Sequence, residues 1–156
     1  MTAPTKAQIT QVRRVLYNRS SVGQVRDALS SIDVLLGLAP STPSGSGPTW
    51  IIPDTGQIGP SVIEASRAAL RIASILEQEA SAIGGLSIPA ADRSHLVRAL
   101  NLQASAWTAR AKAWVRTGPL SAAQITSTLK IIGGYESAAA AAATKVSAYL
   151  IATGTH

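Results

Sequence analysis

Asp92 and His95 stand three residues apart, the i, i+3 spacing at which one helix shows two metal ligands to the same side. A metal centre of that kind also takes a second such pair and two further glutamates from neighbouring helices, and the chain's other histidine is His156 at its end. The pair therefore reads as a first-turn acid, favoured by the positive end of a helix dipole, beside a surface histidine. Glu77 and Glu79 are two apart and face different directions on a helix, so they do not form a catalytic carboxylate pair. The many serines fall at helix starts and on polar faces rather than on a strand-to-helix elbow that would expose a nucleophile. The absence of cysteine excludes a disulfide framework and thiolate metal sites and leaves the compartment undetermined. These residues predict a protein that is not an enzyme and holds no metal or cofactor.

Positive charge is the other chemistry the sequence offers. Fourteen Lys and Arg oppose eight Asp and Glu, a formal charge of +6, and six basic residues lie between Asp92 and Glu136 with no acid among them. Arg98, Lys112 and Arg116 occupy one narrow sector of a helix, with Arg110 and Lys130 as candidates to extend it, while Arg13, Arg14 and Arg19 form a second cluster. Such an edge neutralises phosphates or attracts another anionic surface without choosing between them. No known base-reading motif accompanies it, and the helical pattern assigns Trp107 and Trp114 to the core rather than to stacking on bases.

These residues must be positioned by helices. The stretch from Asp92 to Thr117 is the spine: Val97, Leu100, Ala104, Trp107, Ala111 and Trp114 recur at steps of three and four, one stripe of a helix that alternates bulky with small. Capping-box pairs mark other helix starts at Thr5/Gln8, Ser21/Gln24, Ser61/Glu64 and Ser121/Gln124. Helices are expected at about 5–19, 21–37, 61–83, 89–117 and 121–151. The stripes before and after Ser20 are out of register, so the first helix should break near Ser20 to Gly23. Gly84 and Gly85 predict a left-handed cap, and Thr117, Gly118 and Pro119 predict a short turn between antiparallel neighbours. Counting outward from that turn sets Gly133 and Gly134 near Ala104 and Leu100, where they would kink the helix or allow a close approach. The core should contain Val97, Leu100, Trp107, Trp114, Leu29, Ile32, Leu76, Ile125 and Leu129.

A chain of 156 residues with 46% hydrophobic content suits a single helical domain, 1–156, able to bury about two thirds of its unfolded surface. The expected fold is an all-α, mostly antiparallel four-helix bundle with a broken first helix and a long Pro/Gly/Ser-rich loop after it. That loop, 38–60, holds five prolines and four glycines in 23 residues, which excludes helix and central strand. Trp50, Ile51 and Ile52 in its middle either cover one end of the bundle or anchor a partner. The run from Ala138 to Ala143, with Ala139 and Ala142 as candidate contacts, is either helix filler or a smooth face for another subunit.

No transmembrane segment is expected, because the most apolar region, 131–152, is interrupted by Gly133, Gly134, Glu136 and Lys145. The start MTAPTKAQITQVRR has no apolar core before its charges, so no signal peptide is expected, and a cytoplasmic or virion-associated location is favoured. The expected function is a non-enzymatic structural or assembly protein, a protomer of a virion or other multi-subunit particle that contacts itself or other subunits. The alternative is a basic helical protein that binds nucleic acid or an anionic surface.

Overall fold

The computed structural model describes residues 3–35, 60–114 and 122–149. All regular elements among them are helices: α1 (Lys6–Leu16), α2 (Arg19–Leu35), α3 (Pro60–Gly84), α4 (Ala90–Trp114) and α5 (Ala122–Thr144).

The capping box at Thr5 forms as the sequence predicts. The Thr5 hydroxyl accepts the Gln8 N–H at 3.2 Å, and the Gln8 side chain accepts the Thr5 N–H at 2.8 Å. The first break falls earlier than expected, at Tyr17 and Asn18, and Gly23 lies inside α2. Asn18 does the capping there. Its side-chain oxygen accepts the Ser20 N–H at 2.9 Å and its carbonyl accepts the Val22 N–H, so the Ser21/Gln24 pair does not start the helix. Val12 and Leu16 of α1 and Val25, Leu29 and Ile32 of α2 are buried, and Ile9 and Val22, which continue the same stripes, are half-buried.

In α3 a stripe of Ala65, Ala69, Ile72, Leu76, Ala80 and Ile83 is buried, and so are Ala68, Ala73 and Ile75. The wider buried arc follows from its neighbours, since α3 contacts α1 and α2 as well as α4. No left-handed cap ends it: neither Gly84 nor Gly85 takes a positive φ, and Gly85 and Leu86 donate to the carbonyls three residues back. Arg93 then donates to the carbonyls of Leu86 and Ile88, tying the connection to the start of α4.

The spine prediction holds for Leu100, Ala104, Trp107, Ala111 and Trp114, all buried, with Val97 half-buried. A second buried edge, Ala99, Ala106 and Arg110, accompanies it because α4 lies between α3 and α5. Ser66 bonds across from α3 to the Ala111 carbonyl at 2.9 Å. Leu129 is not in the core but 39% exposed, and the Ile125 side chain lies outside the described residues. α5 runs unbroken through Gly133 and Gly134, and a Cβ at either would meet nothing within 4 Å, so no close approach depends on them. Arg110 of α4 reaches this part of α5 through its contact with Glu136. The last helix ends at Thr144 rather than near 151, followed by turns that bring in Val146 and Tyr149.

Extensive contacts follow chain order: α2 on α3, α3 on α4, α4 on α5, with α1 on α3. Among the described residues, none of comparable extent joins α5 to α1, α2 or α3.

Candidate functional site

The basic edge is only partly assembled. Arg98 and Lys112 are exposed on one side of α4 and Lys130 is exposed on α5, while Arg116 lies outside the described residues. Arg110 is a correction, being buried between α4 and α5 instead of facing solvent. Its guanidinium donates to the Glu136 carboxylate and lies 4.6 Å from the centre of the Trp107 ring. Burial lowers the Arg110 pKa, and the Glu136 charge and hydrogen bond act against that shift. Its electrostatics are thus spent inside the molecule. Arg110 is four residues from Ala106 and eleven from Ala99, on their buried edge of α4. Glu136 is the one acid in the chain after Asp92.

At the other end of α4, Asp92 accepts the Tyr149 hydroxyl at 2.7 Å. Burial, then the hydrogen bond to Asp92 and its charge, push the Tyr149 pKa up to about 12. Asp92 is engaged by a phenol, and no group of three or more His, Asp or Glu among the described residues is placed to hold a metal. Glu77 is exposed and Glu79 buried, on different sides of α3. Glu77 lines an open groove of about 610 Å3 between α3 and α4, with Ser81, Asn101 and Ser105. A smaller groove of about 370 Å3 between α2 and α3 is lined by Gln24, Asp27, Arg71 and Gln78.

Of the expected partner contacts, Trp50, Ile51 and Ile52 lie outside the described residues. Ala139 and Ala142 are buried by the chain itself, so that side of α5 already has an occupant, and Ala140 and Ala141 are the exposed members of the run. The pattern of exposed apolar side chains was not legible as a site in advance. Ile63 and Leu70 share one face of α3, and Leu129 and Ile131, the latter 54% exposed, flank Lys130 on α5. No described side chain from Ala123 to Ile131 is buried. Among the described residues, no helix is long and apolar enough to cross a membrane. The chain matches no protein-family model, and no curated protein or solved structure shows significant similarity to it.

Proposed function

We propose that the chain is a non-enzymatic structural or assembly protein, a helical protomer that packs against copies of itself or into a larger particle such as a virion or other multi-subunit shell. The observation that carries this reading is the uncovered first half of α5, where Leu129 and Ile131 face solvent and no described side chain is buried. Ile63 and Leu70 on α3 add a second apolar contact. The protomer is a mostly antiparallel bundle whose four long helices are the broken α1–α2 unit, α3, α4 and α5. The pairing of the later α4 residue, Arg110, with Glu136 and of the earlier one, Asp92, with Tyr149 supports the antiparallel course of the last two.

The rival reading is binding to nucleic acid or another anionic surface through Arg98 and Lys112, which share an exposed side of α4. One experiment separates the two: size exclusion with light scattering at low and high salt, recording the 260 to 280 nm absorbance ratio. Assembly predicts an oligomer that survives high salt free of nucleic acid and dissociates in the double variant Leu129→Ser, Ile131→Ser. A monomer that carries nucleic acid at low salt alone, and loses it on Arg98→Glu with Lys112→Glu, would move the function to the basic edge.

A further inference from the structure

From Lys6 to Arg26 the chain carries five basic residues, Lys6, Arg13, Arg14, Arg19 and Arg26, and no acid. All five are exposed on α1 and α2, and among the described residues none of them takes part in an ion pair. The longer basic run on α4 and α5 loses members to the fold. Arg110 is buried against Glu136, and Arg93 is half-buried with its guanidinium on the carbonyls of Leu86 and Ile88. Lys6 and Arg13 are seven residues apart, as are Arg19 and Arg26, so each pair stands within about 20° on one side of its helix and roughly 10 Å apart along it. The buried side chains Val12, Leu16, Val25, Leu29 and Ile32 all enter one common core, so the basic sides are what these two helices show to solvent. Asp27, the exposed acid of α2, lies roughly 80 to 100° around the helix from Arg19 and Arg26, in the groove beside α3.

We infer that this face of α1 and α2 is a binding surface for the phosphate backbone of a nucleic-acid duplex. The inference goes beyond the assembly reading and does not depend on it. The chemistry of the face selects the partner. A bilayer takes up a surface helix through large apolar side chains, and a protein partner is anchored by aromatic or aliphatic ones. Among the described side chains of α1 and α2, the exposed ones include no apolar group larger than Ala7. A duplex needs neither anchor, because it carries one negative charge per roughly 1.7 Å of its axis and is held by charge alone. Four of the five cations are arginines, whose planar fork meets two phosphate oxygens at once. The separation of roughly 10 Å within each pair covers about three steps of 3.4 Å along one strand, so both members reach phosphates of the same stretch. No exposed aromatic stands among these side chains to stack on bases, so the contact reads the backbone and not the sequence.

Fluorescence anisotropy of a labelled duplex of about two helical turns, titrated with the full chain, tests the surface. Five phosphate contacts predict a salt slope of about −4.5, an affinity loss of roughly 500-fold between about 50 and 200 mM salt. Each of Arg13→Gln, Arg14→Gln, Arg19→Gln and Arg26→Gln should reduce that slope by about 1. All four together should weaken binding by about 100-fold or more at the lower salt, with the circular dichroism melt unchanged. Arg98→Gln with Lys112→Gln should stay within about threefold of wild type, since those residues lie on another helix. Absence of salt-dependent duplex binding by the wild type would overturn the inference. So would slopes unchanged in the single variants, which decide alone if the fourfold variant does not fold, or a loss that follows Arg98 and Lys112 instead. Binding to vesicles of phosphatidylserine and phosphatidylcholine without binding to duplex would overturn it in favour of a membrane. Duplex binding by a chain that stays monomeric upholds this face and counts against assembly, whereas an oligomer that binds no duplex leaves assembly standing and removes the face.

Discussion

Replacing Glu136 by alanine strips the carboxylate from a guanidinium that has almost no access to water. The Arg110 side chain is 2% exposed and that of Glu136 21%, so the pair sits at the inner limit of solvent reach. Arginine does not escape by losing its proton, because a guanidinium stays protonated in proteins. Removing one partner of a buried ion pair costs about 3 to 5 kcal/mol. The lower end applies here, about 3 kcal/mol, since water enters where the glutamate stood and the Trp107 ring still faces the cation. Glu136→Gln keeps an acceptor without its charge and should cost about 1.5 kcal/mol. Arg110→Met combined with Glu136→Leu removes both charges together and should be neutral within about 1 kcal/mol or stabilising. Urea titrations followed by circular dichroism and tryptophan fluorescence measure all three, and Glu136→Ala should also lower the melting temperature by roughly 6 to 12 °C for a chain of this size. A loss below about 1 kcal/mol for Glu136→Ala, or a double variant no more stable than the single one, would refute the account of Arg110 as a buried, paired cation.

The Trp107 ring is buried on the α4 seam, so Trp107→Ala should cost about 3 to 5 kcal/mol by urea unfolding, and a loss under about 1 would take it off the seam. Tyr149 holds its proton up to about 12 against an ordinary value of 10.0, so the folded chain keeps a proton that the unfolded chain releases. Its contribution, roughly 2 to 3 kcal/mol, is therefore complete below pH 10 and lost as pH rises towards 12. Stability curves of wild type and Tyr149→Phe across that window should converge, and parallel curves would exclude the phenol as their cause. Asn18→Ala should cost about 1 kcal/mol by removing the α2 cap, whereas Ser21→Ala should cost less than about 0.5, and the reverse order in thermal melts would restore the cap expected at Ser21.

Local signals were the legible part. The Thr5 and Gln8 box needs only four consecutive residues to satisfy its own backbone groups, and the stripes of α2, α3 and α4 follow from helical period and apolar side chains alone. The signals that failed had competitors of similar strength. Asn18 outcompeted Ser21 three residues later, and the α3 terminus closed through right-handed turns that its glycines permit but do not require. Leu129 lies on a helix with the right period, yet period says only which side chains share a face, not whether another helix extends far enough to cover them.

By itself, then, the sequence determined that the described residues fold as helices, the greater part of their core and the chain's excess of positive charge, because periodicity, caps and composition act over a few residues or over the whole chain. The tertiary structure alone decided which basic residue faces water. Arg98 and Arg110 are alike in sequence, but α5 packs over one edge of α4 and brings Glu136 to Arg110, and Arg98 is left on the open side. The physical reason is that burial and ion pairing depend on the register of two helices. That register is set by shape and charge across the whole interface, including the pin from Tyr149 to Asp92 at its far end.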